Sequence, residues 1–158
     1  MSEFIGTKRG PWDGEQRPLY LAPMSGVTDL PYRLLAKECG ADVTITEFTN
    51  STALTREAAT SWRRMETHET EVPFIPQIFG GDPGDMATAA EMLAPAADVI
   101  DLNFGCPAPK VTNICAGAAL MGEPDRLVNM VETIVDRVDV PAVSYTHLTL
   151  PTKSRGGW

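Results

Sequence analysis

The chain has 158 residues, with 13 basic against 21 acidic side chains and a formal net charge of −8. That balance argues against a protein that grips a polyanion across its whole surface, so any nucleic-acid contact is expected to be local. The widely spaced Cys39, Cys106 and Cys115 make neither a disulfide framework nor a metal signature, the N-terminus lacks an apolar signal-peptide core, and no stretch approaches the ~20 apolar residues of a membrane span, so a cytoplasmic protein without metal or membrane partner is expected.

Short apolar runs then alternate with helix-like stretches. Residues 19–24 predict a first strand and 30–38 a helix, capped by Thr28 or Asp29 before Pro31 and ended by Gly40, a residue suited to the left-handed conformation. A second strand is expected at 43–46, with a helix somewhere in 53–64 whose Arg56, Arg63 and Arg64 would share one side. Residues 74–79 predict a third strand. Pro83 starts a helix in which Met86, Ala89, Ala90 and Leu93 recur at helical spacing, and 99–103 form a fourth strand. A helix over 124–137 carries Leu127, Val131, Ile134 and Val138 on one face, and a fifth strand begins within 138–143. These spacings leave room for parallel crossovers only, which an open doubly wound sheet or a closed barrel would both satisfy. No G-x-G-x-x-G follows the first strand, so the dinucleotide signature of the open fold is missing. Residues 144–152 break the pattern. They read as foreign sequence joined to an interrupted frame, or as an insertion ahead of Lys153-Ser154-Arg155-Gly156-Gly157-Trp158.

The residues that carry chemistry fall at the carboxyl ends of the strands. Asp101-Leu102-Asn103-Phe104-Gly105-Cys106-Pro107 sets an amide and a thiol three residues apart where an apolar run opens into a loop. Asn is often a turn-former and Cys a small buried residue, but Gly105 and Pro107 on either side of Cys106 constrain the thiol on that loop. An apolar surrounding of Phe104, Pro107 and Ala108 would keep it protonated, which suits a general acid; no neighbouring base that a thiolate nucleophile would need is evident, His68 being in a charged loop and His147 in the atypical tail. Gln77, inside the third strand on the face of Ile75 and Phe79, carries an amide that something must satisfy, either a flat ring with adjacent carbonyl and N–H groups or neighbouring backbone. Pro23-Met24-Ser25-Gly26 ends the first strand in a turn where backbone can approach a flat ligand, or in an ordinary strand-to-helix turn. Cys39, four residues after Leu35, is expected to pack; Cys115 is expected near the site without acting in it. Lys110 would meet an RNA phosphate or simply solvate a surface, and Glu47 at the end of the second strand receives no catalytic role.

The segments Leu21-Ala22-Pro23-Met24-Ser25-Gly26-Val27-Thr28-Asp29 and Asp101 through Val111 together resemble those of the tRNA-dihydrouridine synthases, flavin enzymes that reduce a uracil ring in tRNA. The resemblance implies a (β/α)8 TIM barrel, which takes roughly 250 residues. Residues 19–143 would then supply about the first four βα units of an FMN-binding catalytic domain, between an N-terminal extension at 1–18 and an atypical tail at 144–158. It further implies that Pro23, Met24, Ser25 and Gln77 contact FMN, that Asn103 contacts the uracil and Lys110 the RNA, and that Cys106 protonates C5 as hydride from the reduced flavin reaches C6. NADPH is the implied reductant and tRNA the implied partner. Lys153 would be a flavin contact only in a native tail. Because the loops that hold the FMN phosphate follow the seventh and eighth strands, these 158 residues alone are expected to retain little FMN and to associate through open sheet edges. Two other readings stand beside this one: a flavin barrel acting on a free pyrimidine or an enone, and a non-catalytic RNA-binding half-barrel. The acidic charge counts against the second of them, and Gln77 with Cys106 counts for an enzyme.

Overall fold

A computed structural model describes residues 18–144. The expectations for the N-terminal extension up to residue 17 and for the tail from 145 onward, His147 and Lys153 included, lie outside the described residues.

The chain enters through a short strand, β1 (Tyr20–Leu21), and turns into α1 (Leu30–Glu38). Asp29 caps that helix, its Oδ1 accepting from the Tyr32 N–H at 3.1 Å, while the Thr28 hydroxyl folds back onto Met24. Next come β2 (Val43–Ile45) and β3 (Thr49–Asn50), then two short helices, α2 (Ser51–Thr55) and α3 (Ala59–Arg64). The single helix expected within 53–64 is therefore broken, at Glu57, whose φ of 56° lies in the left-handed region. Arg56 sits in the break and Arg63 and Arg64 beyond it, so the three do not share a helix side.

The expected third strand is likewise divided, into β4 (Phe74–Ile75) and β5 (Gln77–Phe79). Pro76, between them, has no N–H to give the ladder, although its carbonyl still accepts from the Asp101 N–H at 2.9 Å. The helix α4 (Pro83–Leu93) begins at its proline, capped by Asp82, and buries Met86, Ala89, Ala90 and Leu93 as their spacing requires. After β6 (Ile100–Leu102) the chain forms a one-turn helix, α5 (Pro109–Thr112), and a 3-10 turn at Gly117–Gly122, neither legible as an apolar repeat. The last elements are α6 (Pro124–Val135) and β7 (Ala142–Ser144).

Every strand pairing among the described residues is parallel, in the orders β1-β2-β4 and β3-β5-β6-β7. Residues 46–48 alone separate β2 from β3, and Pro76 alone separates β4 from β5. Along the chain, each strand path thus lies beside the one before it, without reversal. The result is an α/β fold on parallel sheets. On one face Phe74, Ile78, Ile100 and Leu102 pack with Leu54, Met86, Leu93, Met130 and Ile134 of the helices; on the other, Val43, Ile75 and Val99 form a separate apolar cluster with Ile45 and Val143. Such alternation sends every second strand residue to each face.

A buried ion pair braces the beginning of the fold. Arg33 of α1 and Glu71 are 1% and 2% exposed, and the guanidinium Nε donates to Glu71 Oε1 at 2.5 Å. The other nitrogens donate to Glu71 Oε2, to the Thr28 carbonyl and to the Glu66 carbonyl, while Thr44 and Thr67 hydroxyls donate to the two carboxylate oxygens. Cys39, expected to pack, is instead the exposed C-cap of α1, because the face it shares with Leu35, itself 55% exposed, is not the one turned to the core.

Candidate functional site

The start of β5 and the carboxyl end of β6 bring three of the candidate residues into one hydrogen-bonded chain. Parallel register sets Gln77 opposite Asp101, and alternation sends both, with Asn103, to the face away from the helices. Gln77 Nε2 donates to Asp101 Oδ2 at 2.6 Å, and Asn103 Nδ2 donates to Gln77 Oε1 at 3.1 Å. Asn103 Oδ1 then accepts from the N–H groups of Gly105 and Cys106, at 3.2 and 3.0 Å. The amide at position 103 therefore forms the turn that presents Cys106, as well as lining the site.

Gln77 is 5% exposed, and its side-chain nitrogen and oxygen both have protein partners. Of the two ways in which its amide was expected to be satisfied, the structure shows a protein one, carried by side chains rather than neighbouring backbone. A ligand would meet what is left over: one N–H and one lone pair on Gln77, and one N–H on Asn103.

Burial raises the Asp101 carboxyl to about 6, against smaller downward pulls from Gln77 and the Leu102 N–H. Sequence reasoning gave this residue no role. Its signal was available, since Asp101 and Asn103 two residues apart on a strand must face the same way.

The Cys106 side chain is half-buried and packs with Phe79, Val111 and Ala116, alongside Phe48 and Ala108. Phe48 and Phe79 meet edge to face with ring centroids 5.2 Å apart. The surround is apolar as expected, but of the three residues expected to supply it only Ala108 does: Phe104 points into the helix-side core, and Pro107 is exposed. Gly117 (φ 57°) closes the loop from behind. A Cβ there would lie 2.6 Å from the Cys106 carbonyl oxygen, which accepts from the Ala118 N–H at 3.0 Å. Cys115 is exposed and holds φ 53° without being glycine.

The turn after β1 is tied to the same region at one remove. Gly26 (φ 76°) donates its N–H to Glu47 Oε2 at 2.6 Å, and the preceding Thr46 accepts at Oγ1 from the Gln77 N–H at 2.9 Å. Pro23 is half-buried, and Met24 and Ser25 are exposed on that turn. Glu47, 8% exposed, thus has a structural task that the sequence did not reveal. Lys110, exposed on α5, makes no hydrogen bond or ion pair among the described residues. Among those residues no group of three or more His, Cys, Asp and Glu could hold a metal, and no helix is long and apolar enough to cross a membrane.

The sequence matches the family described as Dihydrouridine synthase (Dus) over residues 20–151. It is 42% identical over 139 residues to "Probable tRNA-dihydrouridine synthase" of Rhizobium leguminosarum bv. phaseoli, covering 87% of this chain and 41% of that protein. Against "tRNA-dihydrouridine synthase B" of Proteus vulgaris it is 42% identical over 142 residues, covering 89% and 41% respectively. For the protein of the same name from Escherichia coli (strain K12) the identity is 40% over 141 residues, with 89% and 41% covered. The chain spans about two-fifths of the length of these curated relatives.

Proposed function

The chain belongs to the dihydrouridine synthase family, and from that premise we propose that it forms part of the catalytic barrel of an FMN-dependent tRNA-dihydrouridine synthase, which reduces uridine in tRNA to 5,6-dihydrouridine with NADPH as reductant. The observation that carries this reading is the chain that runs from Gln77, at the start of β5, to Asn103 and Cys106 just past the carboxyl end of the adjacent parallel β6, the end of the strands where α/β barrels place their chemistry. The unreversed strand order supports a (β/α)8 barrel over an open doubly wound sheet, with residues 19–143 supplying its opening βα units. The cytoplasm, where tRNA is found, is the compartment that goes with this reading.

The leftover donors and lone pair on Gln77 and Asn103 fit the edge of an isoalloxazine or uracil ring, both of which carry adjacent carbonyl and N–H groups. Gln77, with Pro23, Met24 and Ser25 on the turn held by Glu47, would hold FMN. When bound, FMN supplies the hydride that uracil C6 accepts. Asn103 would orient the base, and the Cys106 thiol would give its proton to C5, so that the C5–C6 double bond becomes a single bond with one hydrogen added at each end. The apolar packing around Cys106 keeps water from competing with the thiol. Lys110, on the exposed side of the same loop, would meet a phosphate.

The test uses the chain extended to the length of its relatives. Cys106→Ala should leave reduction of the bound flavin by NADPH nearly intact and slow its reoxidation by unmodified tRNA by ~10² to 10⁴. Stopped-flow absorbance separates the two half-reactions, and Cys115→Ala should alter neither by more than a small packing effect. Reoxidation of Cys106→Ala at the parent rate would overturn the assignment. Rapid reoxidation by a free pyrimidine or an enone, with none by tRNA, would replace the substrate.

A further inference from the structure

The polarity of both site amides is forced from the two ends of their chain. At one end Asp101, 4% exposed, offers a carboxyl group that, once ionised above about pH 6, can only accept; at the other the backbone N–H groups of Gly105 and Cys106 can only donate. Between them Gln77 must turn its NH2 towards Asp101 and its oxygen towards Asn103, and Asn103 must turn its oxygen towards the loop. Two N–H groups use both lone pairs of Asn103 Oδ1, and Gln77 Oε1 uses one hydrogen of Nδ2. What remains at Asn103 is a single N–H. Asn103 is also the half-buried member of the trio, Gln77 and Asp101 being buried, so this N–H belongs to the residue nearest solvent.

We propose that Asp101 is a positioning residue that sets the direction of the Gln77 and Asn103 amides, so that Asn103 presents only a donor and selects a pyrimidine bearing a carbonyl oxygen over one bearing an exocyclic amine. The selection rests on the proposed function, in that Asn103 must meet the base. The polarity itself does not.

The two can be tested separately in the chain extended to the length of its relatives. Asn103→Asp puts an acceptor against Gln77 Oε1, and at pH 8, where neither carboxyl can supply a proton cheaply, the chain can relieve the conflict only by turning Gln77 over, which would then set oxygen against oxygen at Asp101. Adding Asp101→Asn supplies a donor there and lets the two bonds at Gln77 reverse while the loop N–H groups still donate to position 103, with the same number of hydrogen bonds and the same charge. The expected result is that Asn103→Asp lowers the thermal midpoint and that the double variant recovers most of the loss. Binding should follow the reversal: the preference of the parent for a tRNA carrying uridine over cytidine at the target position should fall by about tenfold or more in the double variant, because position 103 would now accept rather than donate. A double variant no more stable than Asn103→Asp would overturn the polarity. Recovered stability with an unchanged uridine-to-cytidine preference would overturn the selection. If the parent itself fails to turn over tRNA, the proposed function fails, while recovered stability in the double variant would still uphold the role of Asp101.

Discussion

Two buried polar networks brace the two parallel sheets, and they differ in whether their unspent hydrogen-bonding capacity reaches a residue near solvent. Around Arg33 and Glu71 each guanidinium nitrogen has a partner, and each carboxylate oxygen takes one bond from Arg33 and one from a threonine hydroxyl. Around Asp101, Gln77 and Asn103 the chain is complete from end to end, yet both amides keep an unspent N–H. The one unspent N–H of the first network is on Arg33, which is 1% exposed, so that network is closed to a ligand and can only hold the fold. An open one, buried at one end and half-exposed at the other, can also hold a ligand.

Breaking the closed network should have the largest effect on stability. Glu71→Ala leaves the Arg33 guanidinium buried without its counter-charge, a change expected to cost about 3–5 kcal/mol in urea denaturation. Replacing both partners, Arg33→Met with Glu71→Leu, should recover much of that, because the loss comes from a stranded charge more than from the pair itself. If the double variant is as unstable as the single, the network does something other than neutralise itself.

Asp101 should respond to pH in a way that marks the open network. Its carboxyl is raised by burial from 3.8 to about 6 in the folded chain, so the folded state binds a proton more tightly than the unfolded state does. The contribution of this group to stability is therefore fully present below its unfolded value and is lost as pH rises through about 6. Between pH 7 and pH 4 it should supply up to roughly 3 kcal/mol in favour of folding. Denaturation midpoints across that range, parent minus Asp101→Asn, isolate the term; a difference that grows in the opposite direction would mean that the carboxylate is held in its ionised form.

Gln77→Leu keeps approximate size and removes the middle of the open chain. FMN affinity of the extended protein should fall by roughly 1–3 kcal/mol, read by titrating the apoprotein. Because Asp101 can answer the loss of its donor by keeping its proton at neutral pH, the fold should persist. Unchanged affinity would make Gln77 a purely internal partner and close the second network as well.

Much of the frame was legible because its punctuation is chemical. Asp29 with Pro31 and Asp82 with Pro83 mark α1 and α4 to the residue, since a cap and a proline leave little choice of where a helix begins. The break between α2 and α3 carries no such mark: residues 51–64 contain neither glycine nor proline, and Glu57 supplies the left-handed turn instead. Among the site residues, Asn103, Cys106 and Gln77 stood out because a polar group in an apolar run needs a reason. Which partner supplies that reason was not legible. Arg33 and Glu71 are 38 positions apart and meet only through the docking of α1, and Gln77 and Asp101 are 24 apart and meet only through the parallel register.

The smallest effect is expected at the rim of the closed network, and it sharpens the contrast most. The exposed Thr67 donates to Glu71 Oε2 at 2.9 Å, but that oxygen also accepts from Arg33 Nη2, and Oε1 keeps both of its donors. Thr67→Val should therefore cost only about 1 kcal/mol of stability, because no charge is stranded and the remaining bonds still hold the carboxylate. FMN affinity should not move, since nothing in that network faces a ligand. Side by side with Gln77→Leu, the pair of measurements gives each network its own signature: stability without affinity at Thr67, and affinity ahead of stability at Gln77. If Thr67→Val weakened FMN binding as much as Gln77→Leu does, the ion pair would have to be transmitting to the turn at Met24 and Gly26 through Thr28, whose carbonyl Arg33 holds and whose hydroxyl bonds to Met24, and the division between a network for the fold and a network for the ligand would fail.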